Sequence, residues 1–484
     1  MKQIYALGLF LLVSNSAFSQ FIGDSLSLEW NVVLNKNQLP FGLRSNNGGL
    51  FDNSMLTYTN RLTYFANINT SKFLKTSIFA DAVARLSHRS SFHFRELYIR
   101  TDFWFFKIEA GRFFDTYGLS EDLFRLSSMG SVMVSRNATP FPKISLKTNS
   151  WIPVPLTFGF FNWRASLDHG ILNDNRYVKN TYVHQKSFYL NLDLWIFQGY
   201  GGLIHNAQWG GTHPVLGKLP QSFDDYLAVV TGIVKNKNSS GLEDDVNNVV
   251  GNSIAAYDFG LTFHIKPVKL SAYRIFYHED TVSLRFRNAW DGMWGGMISF
   301  DRPIFMITKF GHEYLNMIRL GKRRGINPPE PDGVDNPYNH WIYLSGWTYN
   351  NAIIGTPLFL VNQRNNRHYF FENNEQVVNN IVVAHHSFIE GSLNTWKFNM
   401  HLIQSQNFGT YRDMEKLGEP YYLSKIKKNQ YYAYSKVSKK NILTKKSLPI
   451  ELSTTISLDF GELYQTSYAI LFGFKLLDIV SLLR

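Results

Sequence analysis

Apolar and polar residues alternate one for one over many segments of this chain. From Tyr257 to Lys266, Tyr257, Phe259, Leu261, Phe263 and Ile265 fall on one side, and Asp258, Gly260, Thr262, His264 and Lys266 on the other. Side chains in a strand repeat every two residues, so this segment has one oily face and one wet face. The pattern recurs. Phe188, Leu190, Leu192 and Leu194 oppose Tyr189, Asn191, Asp193 and Trp195. Leu97, Ile99, Phe103 and Phe105 oppose Glu96, Tyr98, Arg100 and Asp102. Trp396, Phe398, Met400 and Leu402 oppose Lys397, Asn399 and His401, and Ile456, Leu458 and Phe460 oppose Thr455, Ser457 and Asp459.

Two all-β architectures use such strands. A soluble sandwich or propeller turns the apolar faces into a core. A transmembrane antiparallel barrel turns them to lipid, and requires the alternation in every strand. A strand of about 9–11 residues crosses a bilayer with tilt. At roughly 26 residues per strand and connection, the chain allows about 16 to 18 strands, within the even-numbered range of such barrels. In that reading Glu96, Arg100, Asp102, His264 and Lys266 line the lumen.

The N-terminus separates the two architectures. Lys2, the apolar run Ile4 to Val13 and the small residues at Ala17 and Ser19 have the form of an export signal, giving a signal peptide at 1–19 and one β domain at 20–484. The apolar run is too short to span a membrane as a helix, and no later stretch is long enough either. Composition agrees with a barrel. Aromatic residues make up 16% and charged residues only 18%, which suits aromatic girdles better than a soluble enzyme surface. With no cysteine, disulfides, thiolate metal sites and a lipid-modified N-terminal cysteine are not expected. The net charge of +12 on an exported chain points to anionic glycans or lipid head groups rather than nucleic acid. Together these place the chain in the outer membrane of a Gram-negative bacterium, among outer-membrane lipids and lipopolysaccharide.

Three stretches read as long loops: 235–253, 322–340 and 408–449. Long loops of such barrels are normally extracellular and serve as contact surfaces. Within the third, Lys425, Lys427, Lys428, Lys436, Lys439 and Lys440 interleave with Tyr431, Tyr432 and Tyr434. Ammonium groups meet the carboxylates of acidic sugars, and flat rings stack on sugar faces. The plainer alternative is a solvated basic loop. Tryptophan beside glycine is the other recurring theme, at Trp209, Trp290, Trp294 and Trp347, the last followed by Tyr349. These rings are glycan-stacking candidates, or else members of an interfacial girdle. No cofactor, metal or catalytic residue is expected. His386 and Ser387 are adjacent, but strand neighbours face opposite ways and do not form a nucleophile–base pair. His312-Glu313 lacks the second histidine of a zinc-binding helix, since residue 316 is Asn.

Several segments resemble the Wzi-type capsule assembly family, in a Bacteroidetes-like version. They are Arg136 to Pro142, Asn206 to Gly211, His278 to Asp280, Asp291 to Gly295, His312 to Asn316, Tyr338 to His340, Gly346 to Asn350, Ile354 to Leu358 and Asn407 to Tyr411. The resemblance implies an 18-stranded outer-membrane barrel acting as a surface lectin, not an enzyme. Its partners would be capsular or extracellular polysaccharide and the barrel-insertion machinery. The alternatives are a porin-like channel for small polar solutes and an outer-membrane hydrolase.

Overall fold

The computed structural model describes residues 24–69, 73–117, 121–232, 251–279, 289–318, 335–362, 376–410, 427–440, 449–477 and 479–480. Eighteen long strands form one antiparallel sheet. They are β1 (Ser25–Lys36), β2 (Leu56–Asn69), β3 (Leu74–Leu86), β4 (Ser91–Phe103), β5 (Phe106–Arg112), β6 (Pro142–Thr148), β7 (Phe161–Leu172), β8 (Thr181–Leu194) and β9 (Phe197–Trp209). The second half comprises β10 (Asn252–Ile265), β11 (Val268–His278), β12 (Gly292–Ile304), β13 (Ile307–Met317), β14 (Val382–Leu393), β15 (Trp396–Asn407), β16 (Lys428–Lys440), β17 (Ile450–Gly461) and β18 (Ser467–Leu476). A two-residue extension, Ile152–Pro153, continues the pairing of β6 against β7. Each strand pairs with the next. β1 then pairs with β18, from Leu28 opposite Leu476 to Lys36 opposite Tyr468, and this closes the barrel.

The alternation does what the sequence required of it. Phe259, Leu261, Phe263, Phe188, Leu190, Met400, Leu402, Ile456 and Leu458 are exposed on the outside, where a barrel meets lipid. Their polar neighbours point inward and find partners. Asp258 accepts hydrogen bonds from the Tyr189 and Tyr200 hydroxyls at 3.0 and 3.3 Å. Arg61 joins Asp81 and Glu29 at 2.8 and 3.1 Å, and Arg95 reaches Asp81 at 3.1 Å. Glycine makes room for the inward rings. A Cβ on Gly260 would overlap Tyr200, and one on Gly295 would overlap Tyr273.

The two barrel ends differ. Tight turns such as Trp104-Phe105, Trp195-Ile196 and Phe305-Met306 join strands at one end, and carry exposed aromatic side chains. The long connections between β5 and β6, β9 and β10, and β13 and β14 leave and rejoin the wall at the other end. By the usual asymmetry of outer-membrane barrels, that end is extracellular. Two of its connections turn into the barrel. Segment 121–141 opens on the short helix α2 (Glu121–Leu126) and packs against segment 335–362; another short helix, α1 (Phe41–Arg44), lies between β1 and β2 and packs on β16 and β17. Trp347 is 1% exposed, and its ring N–H donates to Met133 O at 3.0 Å. Ser135 Oγ donates to Gly355 O at 2.6 Å, and the Thr356 amide donates to the Tyr338 hydroxyl at 3.1 Å. With lumen-facing Tyr273, Met297, Phe388 and Tyr432 these segments make one buried cluster, a plug across the barrel.

One expected loop is corrected here. The stretch 408–449 contains β16, which pairs along its length with β15 and β17. Most of 235–253 and 322–340 lies outside the described residues.

Candidate functional site

The correction to β16 disperses the lysine–tyrosine surface. Lys428 opens the strand, and Tyr432, Tyr434 and Lys436 turn into the lumen. Tyr432 is buried against Phe41, with ring centres 4.6 Å apart, and Tyr434 stacks on His401 at 4.4 Å. Tyr431 faces outward and stacks on Phe460 at 5.2 Å. Lys439 lies over the outward Trp396 ring, 5.0 Å from its centre. Lys440 pairs with Glu451 at 3.9 Å. Lys427 immediately precedes the strand, and Lys425 lies outside the described residues. A period of two spreads these groups over both faces and the full barrel height, so they form no common surface.

The tryptophans also separate. Trp347 and Tyr349 are sealed in the plug, where the Tyr349 hydroxyl donates to Asn173 Oδ1 at 2.7 Å. Trp209 is buried on the outer wall beside Tyr182 and Tyr226. Trp290 and Trp294 stack on each other at 5.9 Å; Arg274 lies over Trp294 at 4.3 Å. The residues expected in the lumen divide between the inward face of β4 and the tight-turn rim. Arg100 turns inward to Glu109 at 2.6 Å, and Glu96 accepts the Phe114 amide at 3.1 Å. Asp102 follows on the same inward face of β4. His264 meets Asp301 at 3.1 Å at the tight-turn rim, next to the exposed Lys266 in its turn.

A constellation that sequence reasoning missed lies between plug and wall. Ser128 Oγ is 3.1 Å from His386 Nε2, and His386 Nδ1 is 2.7 Å from Glu313 Oε2. Ser127 donates to the same carboxylate at 2.9 Å, and Tyr273 donates to its other oxygen. The connectivity is that of a nucleophile, base and orienting acid. Yet Ser128, His386 and Glu313 are 1%, 0% and 1% exposed, and Ser128 Oγ also contacts Tyr434 at 2.6 Å and His401 at 3.4 Å. Every atom that would attack a substrate is spent on holding the plug to the wall. Ser387 points outward, as its position beside His386 requires, and meets His312 Nδ1 at 2.9 Å.

The open site is a cleft of about 530 Å³ at the long-loop end. It lies between α1 and its following loop, the adjoining ends of β3, β4 and β5, and both plug segments. Its charged lining comprises Arg44, Arg85 and Arg112 against one carboxylate, Asp52, with His93 alongside. Asn47, Asn53, Asn137, Asn350 and Asn351 add amides. Burial raises the Asp52 pKa, but the Ser87 hydroxyl, the Ser54 amide and Arg85 outweigh it and hold Asp52 below the usual carboxylate range. Arg85 is engaged by Asp52 at 3.4 Å and by Gly49 O at 3.0 Å, while Arg44 lies over the Tyr464 ring at 4.9 Å. Arg112 makes no ion pair among the described residues. His93 Nε2 is buried beside Gly49. Asn350 is pinned by Thr139 Oγ1 at 2.8 Å and by Asp174, and Asn137 by Ile353 O at 3.0 Å. The cleft thus offers fixed amide groups for hydroxyls and, in Arg112, a guanidinium with no carboxylate partner among the described residues, for an anion. Its residues come from six separate stretches of the sequence. The only sequence signal was that Asn137, Thr139 and Asn350 fall in the segments singled out for their resemblance.

A sequence model described as Capsule assembly protein Wzi matches residues 14–359. No curated protein sequence matches the chain. Among solved structures, Wzi of Escherichia coli, an outer membrane protein involved in group 1 capsule assembly and described as a carbohydrate-binding β-barrel, is 12% identical. That alignment covers 95% of this chain and 86% of the other, with a TM-score of 0.57. Pseudomonas aeruginosa OccK5 (OpdH) and OccK11 (OpdR) are each 8% identical, with TM-scores of 0.46 and 0.45. Their alignments each cover 94% of this chain, and 97% and 95% of the respective partners.

Proposed function

Because the chain belongs to the Wzi capsule assembly family, we propose that it binds capsular or extracellular polysaccharide in the mouth cleft and holds or organises it at the outer surface. The observation that carries this reading is the cleft itself. It opens at the long-loop end, is walled by both plug segments, and combines amides with the Arg112 guanidinium, which has no ion-pair partner among the described residues. Such groups recognise sugar hydroxyls and acidic substituents without cutting a bond. Binding is non-catalytic in this proposal, since the one Ser–His–Glu arrangement seen is sealed from solvent. Lipopolysaccharide around the wall and the barrel-insertion machinery are the other partners we assign. The tryptophans and the β16 lysines drop out as a shared glycan surface, and the cleft takes their place.

Arg112→Ala tests the site. A charge-assisted hydrogen bond is worth about 2 kcal/mol, so binding of an acidic polysaccharide should fall roughly 30-fold. Cell-attached polysaccharide should drop and released polysaccharide rise at unchanged barrel abundance. An unchanged division between the two fractions would remove the cleft from consideration.

A further inference from the structure

A nine-residue helix, α3 (Phe223–Thr231), lies outside the barrel. Its ends are well formed. Ser222 and Asp225 make a reciprocal capping box, and Gly232 closes the C-terminus in the left-handed conformation at φ 72°. Ala228 and Val229 pack on Ala207 and Trp209 of β9. Tyr226 meets His169 and His184 edge-on at 5.2 and 6.0 Å, and the Lys186 ammonium donates to Val230 O. These wall residues share the outward parity of Leu167, Phe188 and Leu203, which are exposed lower on the same strands. The helix therefore covers the lipid side of the wall, at its extracellular edge. His184 lies four residues, roughly 14 Å along the strand, above Phe188.

The opposite side of α3 carries an apolar stripe edged by the exposed Asp224. Phe223 is 71% exposed and Leu227 43%, one helical turn apart and turned away from the buried Asp225, Ala228 and Val229. The hairpin just before it, Thr212–His213 paired with Gly217–Lys218, ends in Val215 at 81% exposure and Leu216 at 46%. An apolar stripe edged by a charged residue suits the boundary between acyl chains and head groups. Lipid is the medium already in contact with the wall directly beneath this one. In the stretch that follows α3, 233–250, eleven Asn, Ser, Lys, Asp and Glu residues outnumber six aliphatic ones, so it is the more polar candidate for a cover.

We infer that the Phe223–Leu227 stripe and the Val215–Leu216 tip form a second lipid-contact surface, with α3 lying in the head-group region of the outer leaflet. The helix shields the outward imidazoles of His169 and His184 from the acyl chains. Both nitrogens of His184 are buried with no hydrogen-bond partner among the described residues, and bare exposure of such groups to hydrocarbon would be costly.

The absence of cysteine makes the test clean. Single-cysteine variants Phe223→Cys, Leu227→Cys and Val215→Cys of the full chain are spin-labelled and reconstituted in phosphatidylethanolamine–phosphatidylglycerol vesicles. Leu203→Cys supplies the lipid-facing reference and Asn350→Cys the aqueous one. The inference requires that labels at 223, 227 and 215 collide more with oxygen than with a water-soluble nickel chelate, as at 203. The opposite preference, as at 350, overturns it. So does low access to both reagents, with label–label broadening marking a second copy of the chain and its absence marking cover by another segment.

Discussion

His340 sits in the plug with Nδ1 accepting the Ile342 and Tyr343 amides at 3.2 and 3.4 Å. That nitrogen must be unprotonated, and burial lowers the His340 pKa to about 4. An unfolded histidine titrates near 6.5, so between these values the unfolded segment binds more protons than the folded one. Stability is fully present above about pH 6.5 and is lost as the pH falls towards 4. Amide protection at Ile342 and Tyr343 should therefore decline over this window. His340→Gln, which can accept but does not titrate, should flatten the decline. Protection that holds constant from neutral pH to 4 in the native chain would show that the imidazole is not fixing this turn.

β16 shows why one strand escaped sequence reasoning. Its outward positions are Tyr431, Ala433, Ser435, Val437 and Lys439, with little of the apolar weight found on β15 and β17. Leu402 and Leu458 flank Ala433 on the neighbouring strands and supply that weight. If β16 is wall, Ala433→Lys puts a charge among them and should cost about 2–4 kcal/mol near the bilayer midplane, read as a lower midpoint in denaturant titration. A loop would tolerate the change. Where outward side chains are large, as on β10, both the strand and its orientation were legible, because lipid allows only one sign of side chain. The inward positions of Glu96, Arg100 and Asp102 followed from the same rule. The cleft did not. Arg44, Arg85, Arg112, Asn137 and Asn350 become neighbours only through barrel closure and the inward turn of two loops, which no local period encodes. Trp347 and Tyr349 beside glycine fitted stacking on sugars and packing on protein equally well, and the plug claimed them.

At the scale of the whole molecule, the plug sets apart a barrel that binds from one that conducts. Lumen charges such as Arg61, Asp81, Arg100 and Glu109 are paired with one another. Segments 121–141 and 335–362 fill the space beneath the mouth. The purified protein in a planar bilayer should pass no steady current, and Tyr338→Ala, which withdraws a ring from the plug centre, should introduce brief openings. A steady channel in the unaltered protein would restore the porin-like reading. The pairing of β1 with β18 bears on how such a molecule comes into being. Leu28 waits for Leu476, and Lys36 for Tyr468, so the first strand made is completed only by the last. Until then each end of the sheet carries a row of backbone groups that hydrocarbon cannot satisfy. A nascent chain stopped at Gly461 is not a smaller barrel but an open one with two unsealed margins. Closure therefore waits on the last strand, and until it pairs both margins need partners from outside the chain.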